Sequence, residues 1–134
     1  MNYKLSQQNC GERITLNEKK KLMNDLLSAF ADCCEKNGIR YWLDGGTLIG
    51  AARHKGFIPW DDDIDVMIPR TDAKKLKEIT GGWIGPYYLT DPDERLFDFD
   101  EHWRLCDNRY VIKSIYSGVY RPLFIDVLPM VGFP

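Results

Sequence analysis

Asp61, Asp62, Asp63 and Asp65 put four carboxylates into five residues, with only Ile64 between them. Two like unit charges ~4 Å apart repel by about 1 kcal/mol in water and by ~4 kcal/mol at the effective dielectric of a protein surface. A folded chain carries that density only with compensation. Ile64, Val66 and Ile68 alternate with Asp63, Asp65 and Met67, the pattern of a strand with an apolar face and a face bearing two carboxylates. Such a strand has to be buried on one side and open on the other, and a divalent cation is the obvious compensator.

At 134 residues the chain reads as one domain, residues 1–134, able to bury about two-thirds of its unfolded surface. Hydrophobic residues make up 44% and the formal net charge is -2, which supports a packed core and excludes a general nucleic-acid or membrane-surface binder. Any basic site must be local. Cys10, Cys33, Cys34 and Cys106 show neither a C-x-x-C pair nor zinc-finger spacing and are expected as reduced, mostly core thiols. No run approaches the ~20 apolar residues of a membrane helix, and residues 1–13 lack the apolar segment of a secretory signal, so a cytoplasmic protein without a transmembrane segment is expected.

Thr15 with Glu18 forms a capping-box signal, and Leu22, Met23, Leu26, Leu27, Phe30 and Cys34 then repeat at helical spacing up to Asn37-Gly38. Residues 39–43 predict a short buried strand that runs into Asp44-Gly45-Gly46-Thr47. A short helix over 48–53 precedes the acidic strand, and Thr71-Asp72 can cap a second helix over 73–79 that Gly81-Gly82 ends. Strands are expected over 87–90, 103–113 and 123–128. The predicted class is α/β (α+β): a small mixed sheet of about four or five strands with helices on one face.

The strand over 123–128 is apolar apart from Asp126, and burying an unpaired charge costs several kcal/mol. Asp126 therefore wants a partner. If its strand lies ~4.8 Å from that of Asp63 and Asp65, three carboxylates can meet on one patch. That spacing suits two metal ions ~3.5–4 Å apart, the arrangement used for in-line displacement at phosphorus, and oxygen ligands suit Mg²⁺ or Mn²⁺. Asp63, Asp65 and Asp126 are thus the candidate catalytic and metal-binding residues. Gly45, Gly46 and Thr47 open a helix whose N-terminal N–H groups can receive phosphate oxygens, and Arg53 or Lys55 can neutralise a leaving phosphate.

Plainer readings exist for each feature. The acidic stretch on composition alone fits a solvated loop, and an EF-hand frame over Asp61, Asp63, Asp65 and Asp72 fails because Val66 stands where glycine is required. Asp61 and Asp62 read as polarising the strand entrance rather than as metal ligands. His54 reads as a turn histidine without an orienting partner, and Gly45-Gly46 fits a plain strand-to-helix turn.

Gly46-Thr47-Leu48-Ile49-Gly50-Ala51-Ala52-Arg53-His54-Lys55-Gly56-Phe57-Ile58-Pro59-Trp60-Asp61-Asp62-Asp63-Ile64-Asp65 resembles the signature of the LicD family of phosphocholine transferases and relatives. That group is similar in fold to the nucleotidyltransferase domain of DNA polymerase beta and includes fukutin-type ribitol-phosphate transferases. Leu123-Phe124-Ile125-Asp126-Val127-Leu128-Pro129 resembles its third-carboxylate strand. The resemblance covers about a third of the chain and implies Mg²⁺-dependent transfer of a phosphorylated alcohol, such as phosphocholine, or of a nucleotidyl group. The donor would be a CDP-type nucleotide such as CDP-choline, and the acceptor a glycan hydroxyl, as in lipopolysaccharide modification at the inner face of a membrane. Two departures bear on substrate more than on metal: the chain is short for the family, and Met130-Val131 stands where relatives often carry Leu-Asp. Two rivals stay open, a metal-dependent glycosyltransferase using a sugar nucleotide and a non-catalytic nucleotide-binding remnant.

Overall fold

The computed structural model of the chain describes residues 12–13, 16–44, 64–92, 103–113 and 120–130. The apolar residues repeating at three- and four-residue steps form the buried face of α1 (Leu16–Lys36), with Met23, Leu26, Phe30 and Cys34 in the core. Asn37 closes the helix by donating from its side chain to the Cys33 carbonyl at 2.7 Å, and Gly38 follows at a φ of 65°. That left-handed step lets Ile39 donate back to the Cys34 carbonyl at 2.8 Å and enter the core.

The predicted Thr71-Asp72 cap is corrected. Helix α2 (Arg70–Thr80) starts directly at the end of β3 (Asp65–Pro69), with Pro69 at the N-cap and no capping side-chain hydrogen bond. Proline fixes φ at a value that both a strand end and a first helical turn accept, so no polar cap is needed to turn the chain. Asp72, freed from capping, accepts hydrogen bonds from the Arg40 backbone N–H at 3.0 Å and from Arg40 Nε and Nη2 at 3.2 Å each. This ties the first turn of α2 to the connection after α1. At the other end Gly81, at a φ of 66°, terminates α2 as expected.

The remaining strands are β1 (Glu12–Arg13), β2 (Trp42–Leu43), β4 (Trp83–Ile84), β5 (Tyr87–Thr90), β6 (Trp103–Lys113) and β7 (Tyr120–Met130). They form one mixed sheet in the order β2-β3-β7-β6-β5-β4, with β1 added in parallel to the far part of β6. Among the described residues the sheet has seven strands rather than four or five, because the two-residue strands β1 and β4 add to those expected. The strand expected over 39–43 pairs only at its last two residues.

Both helices among the described residues lie on the same face. Val66 and Ile68 of β3, Ile125 and Val127 of β7, Leu105 of β6 and Leu89 of β5 join the core side chains of α1 and α2 in a single cluster. Asp107, the carboxylate that ends the regular part of β6, is 1% exposed on this side and is held by a bidentate ion pair with Arg109, whose Nε and Nη2 lie 2.9 and 2.8 Å away. The pair sits at the register shift between Asp107 and Val111, where the ladder to β7 is interrupted.

Candidate metal and phosphate site

Strand alternation decides what the other face carries. In the parallel β3–β7 ladder Val66 stands beside Val127 in the core, so the preceding pair, Asp65 beside Asp126, faces the opposite side. Neighbouring strands are ~4.8 Å apart, which brings two residues that are 61 positions apart in sequence into lateral contact range. The Asp126 N–H donates to the Ile64 carbonyl at 3.0 Å, so the ladder continues at the level of the carboxylates.

The row extends in both directions. On one side, Leu43 pairs with Val66, and the Asp44 N–H donates to the Asp65 carbonyl at 3.0 Å, which sets Asp44 across from Asp65. On the other side, Arg104 of β6 is the register partner of Asp126, and Thr90 of β5 is that of Arg104. Thr90 is buried and its hydroxyl donates to the Arg104 carbonyl at 3.3 Å. Among the described residues the face opposite the helices thus carries Asp44, just past β2, with Asp65, Asp126, Arg104 and Thr90 on the next four strands, a row of three carboxylates and one guanidinium.

Arg104 is the residue the sequence reading missed. Its Nε lies 3.1 Å from Asp126 Oδ1, with the arginine side chain 9% and the aspartate side chain 24% exposed. The guanidinium carbon sits 5.0 Å from the centroid of the Phe124 ring, two residues before Asp126 on the same face. The distance makes an ion pair, yet the N–H is not aligned with the oxygen as a hydrogen bond requires. The contact is an ion pair first, because charge attraction at 3.1 Å is insensitive to a few tens of degrees of misalignment. Alternation in Trp103-Arg104-Leu105 was the available signal: with Leu105 inward, Arg104 had to face the same way as a carboxylate on the next strand.

The partner that Asp126 needs is therefore supplied in part by the protein itself. Its Oδ1 is buried against Arg104 while the side chain as a whole is 24% exposed, and the remaining carboxylate oxygen beside a second carboxylate is the kind of hard donor that suits Mg²⁺ or Mn²⁺. Among the described residues no three Asp, Glu, His or Cys side chains gather closely enough to hold an ion, so Asp44, Asp65 and Asp126 stand as a row and not as a closed cage. The remaining candidate residues, Asp63 with Gly45, Gly46, Thr47, Arg53 and Lys55, lie outside the described residues, as do Asp61, Asp62 and His54. Among the described residues no helix is long and apolar enough to cross a membrane.

Comparison with known proteins bears on the same segments. The family described as LicD/FKTN/FKRP, nucleotidyltransferase domain, matches residues 38–131, a span that runs from the end of α1 through β7. The lipopolysaccharide cholinephosphotransferase LicD of Haemophilus influenzae is 35% identical over 125 residues, covering 92% of this chain and 47% of that protein. The human ribitol 5-phosphate transferase FKRP is 42% identical over 67 residues, covering 50% of this chain and 13% of that protein. Mannosyltransferase regulator 4 of Saccharomyces cerevisiae is 30% identical over 66 residues, covering 47% of this chain and 6% of that protein. The chain thus spans about half the length of the bacterial relative and much less of the eukaryotic ones. A match of this extent, with the mixed sheet that sets Asp65 beside Asp126, shows that the chain belongs to the LicD/FKTN/FKRP nucleotidyltransferase-domain family.

Proposed function

We propose that this chain is a Mg²⁺- or Mn²⁺-dependent transferase that moves a phosphorylated alcohol, such as phosphocholine, or a nucleotidyl group from a CDP-type donor to a glycan hydroxyl. The observation that carries the reading is the register pairing of Asp65 with Asp126 on the sheet face opposite α1 and α2. Two carboxylates side by side there repel one another, a repulsion that a bound dication would offset, and Arg104 sets one positive charge against Asp126. The family's transferases, named for cholinephosphate and ribitol 5-phosphate, support the reaction class and the glycan acceptor.

In this reading Asp65 and Asp126, joined by Asp63, hold the metal and with it the donor's phosphates. A bound dication would polarise the phosphoryl oxygens and lower the pKa of the attacking hydroxyl. Asp126 lies on the side of the incoming hydroxyl and takes up its proton, while Gly45, Gly46 and Thr47 offer backbone N–H groups and a hydroxyl to the phosphates. Arg53 or Lys55 neutralises charge on the leaving group.

The test is calorimetric titration of the chain with Mn²⁺ and CDP-choline, beside Asp65→Asn and Asp126→Asn variants, with UDP-sugars as competitors. Donor binding that requires metal, weakens at least ~10-fold in either variant and resists UDP-sugars is the expected result. Equal binding by the variants would remove the site, and preference for UDP-sugars would make the chain a glycosyltransferase. The chain spans 47% of the bacterial relative, which favours one second reading, a donor-binding domain whose acceptor pocket lies elsewhere. Metal-dependent donor binding without transfer to any glycan marks that outcome.

A further inference from the structure

We infer that Arg104 is a positioning residue for Asp126, one that lowers the site's affinity for the free cation in exchange for a fixed carboxylate orientation. This rests on the metal-site reading above. Arg104 enters from the neighbouring strand as the register partner of Asp126, is 9% exposed, and places Nε 3.1 Å from Oδ1. Its guanidinium is further fixed against the Phe124 ring at 5.0 Å. Oδ1 is buried while the Asp126 side chain as a whole is 24% exposed, so Oδ2 is the oxygen left for a ligand.

The physical consequence has a sign. A permanent positive charge beside a metal-binding carboxylate repels an incoming dication, so a purely affinity-driven site has no use for it. A site in which Asp126 must present one oxygen in one direction does, because an aspartate free to rotate can chelate the ion through both oxygens and lose the geometry that an incoming hydroxyl requires. An arginine that only props up the strand predicts the reverse: its loss loosens β6 against β7 and weakens cation binding.

Mn²⁺ titration of the full chain, read by electron paramagnetic resonance, tests this with wild type, Arg104→Gln, Asp126→Asn and the double variant. Arg104→Gln is expected to bind Mn²⁺ at least ~5-fold more tightly than wild type, since removing a unit charge within a few ångströms of a dication is a large electrostatic change. In the Asp126→Asn background the same substitution loses most of its effect, because it acts through that carboxylate. Arg104→Lys, which keeps the charge, stays within about 2-fold of wild type. Arg104→Met keeps the stem against Phe124 and carries the same expectation as Arg104→Gln should the latter fail to fold.

Mn²⁺ binding unchanged or weakened in folded Arg104→Gln or Arg104→Met, with Asp126→Asn weaker than wild type, overturns the role of Arg104 and leaves the metal site standing. Indifference of Mn²⁺ binding to Asp126→Asn overturns both.

Discussion

At the scale of single residues, the arrangement depends on how each charge is matched. Asp72 receives three hydrogen bonds from Arg40, and these hold its carboxyl below the ordinary value of 3.8. A carboxylate whose folded pKa is depressed stabilises the fold above its unfolded pKa, and the stabilisation is lost as pH falls from about 4 through the folded value. The pair is largely solvent-facing on the arginine side, so the effect is modest. Asp72→Asn is therefore expected to flatten the fall in melting temperature between pH 5 and pH 3, and carbon-detected NMR titration should find the Asp72 carboxyl below the other surface aspartates. An identical acid limb in the variant would show that the contact contributes nothing. Asp65, Asp126 and Arg104 obey the same rule of compensation, but there the sequence alone pointed only to a cation, because Arg104 sits 22 positions before Asp126 and meets it only across β6 and β7.

At the scale of elements, the glycines that end helices separate two kinds of cost. Gly38 has a φ of 65° with nothing within 4 Å of an added Cβ, whereas Gly82 has a φ of 96° and would place Cβ 2.8 Å from Tyr88 Cε2. Tyr88 cannot easily yield, since its ring packs edge-on against Trp83 at 5.0 Å and its hydroxyl receives a hydrogen bond from Lys77 Nζ at 3.3 Å. Gly38→Ala is expected to cost about 1 kcal/mol from backbone strain alone. Gly82→Ala is expected to cost about 2–4 kcal/mol in urea unfolding, strain and overlap together. Equal losses would mean that the β4–β5 hairpin relaxes around the new methyl group.

Much at this scale was legible in order. The periodicity of Leu22 to Cys34 gave α1, the alternation around Asp65 and the apolar run around Asp126 gave β3 and β7, and residues 87–90 and 103–113 match β5 and β6. The start of α2 was misread because Thr71-Asp72 is a sound capping pair locally, while Pro69 makes the turn and Arg40, 32 residues back, claims the aspartate. The short edge strands β1, β2 and β4 were invisible or overlong because two residues carry no period, and their pairing is set by the strands they meet.

At the scale of the whole molecule, one core joins α1 and α2 to the sheet and sets the accessibility of the side chains within it. Cys34 is fully buried in it, and burial pushes its thiol up to about 12 from an ordinary 9.0. In the unfolded chain the thiol ionises near its ordinary value, so this group's contribution to stability is complete below pH 9 and declines as pH rises beyond it. Alkylation at pH 8 is expected to label half-buried Cys33 before Cys34 and Cys106, which stay protected until denaturant reaches the global transition. Labelling of Cys34 well before that transition would mean that α1 detaches from the sheet on its own.

Composition and pattern by themselves determined that this chain has a sheet with helices on one side, that an acidic strand must keep one face clear of the core, and that Asp126 needs a partner. These are local consequences: alternation and helical period are written in consecutive residues, and the cost of a bare carboxylate among apolar neighbours does not depend on topology. What only the tertiary structure decided is which strands are neighbours and in what register. A slip of two residues between β3 and β7 would keep both apolar faces in the core yet set Asp65 beside Phe124 or Leu128 in place of Asp126, and no local pattern forbids it. Pairing Val66 with Val127 under α1 and α2 buries the apolar faces of both strands together, and that same choice brings Asp65, Asp126 and Arg104 side by side on the opposite face.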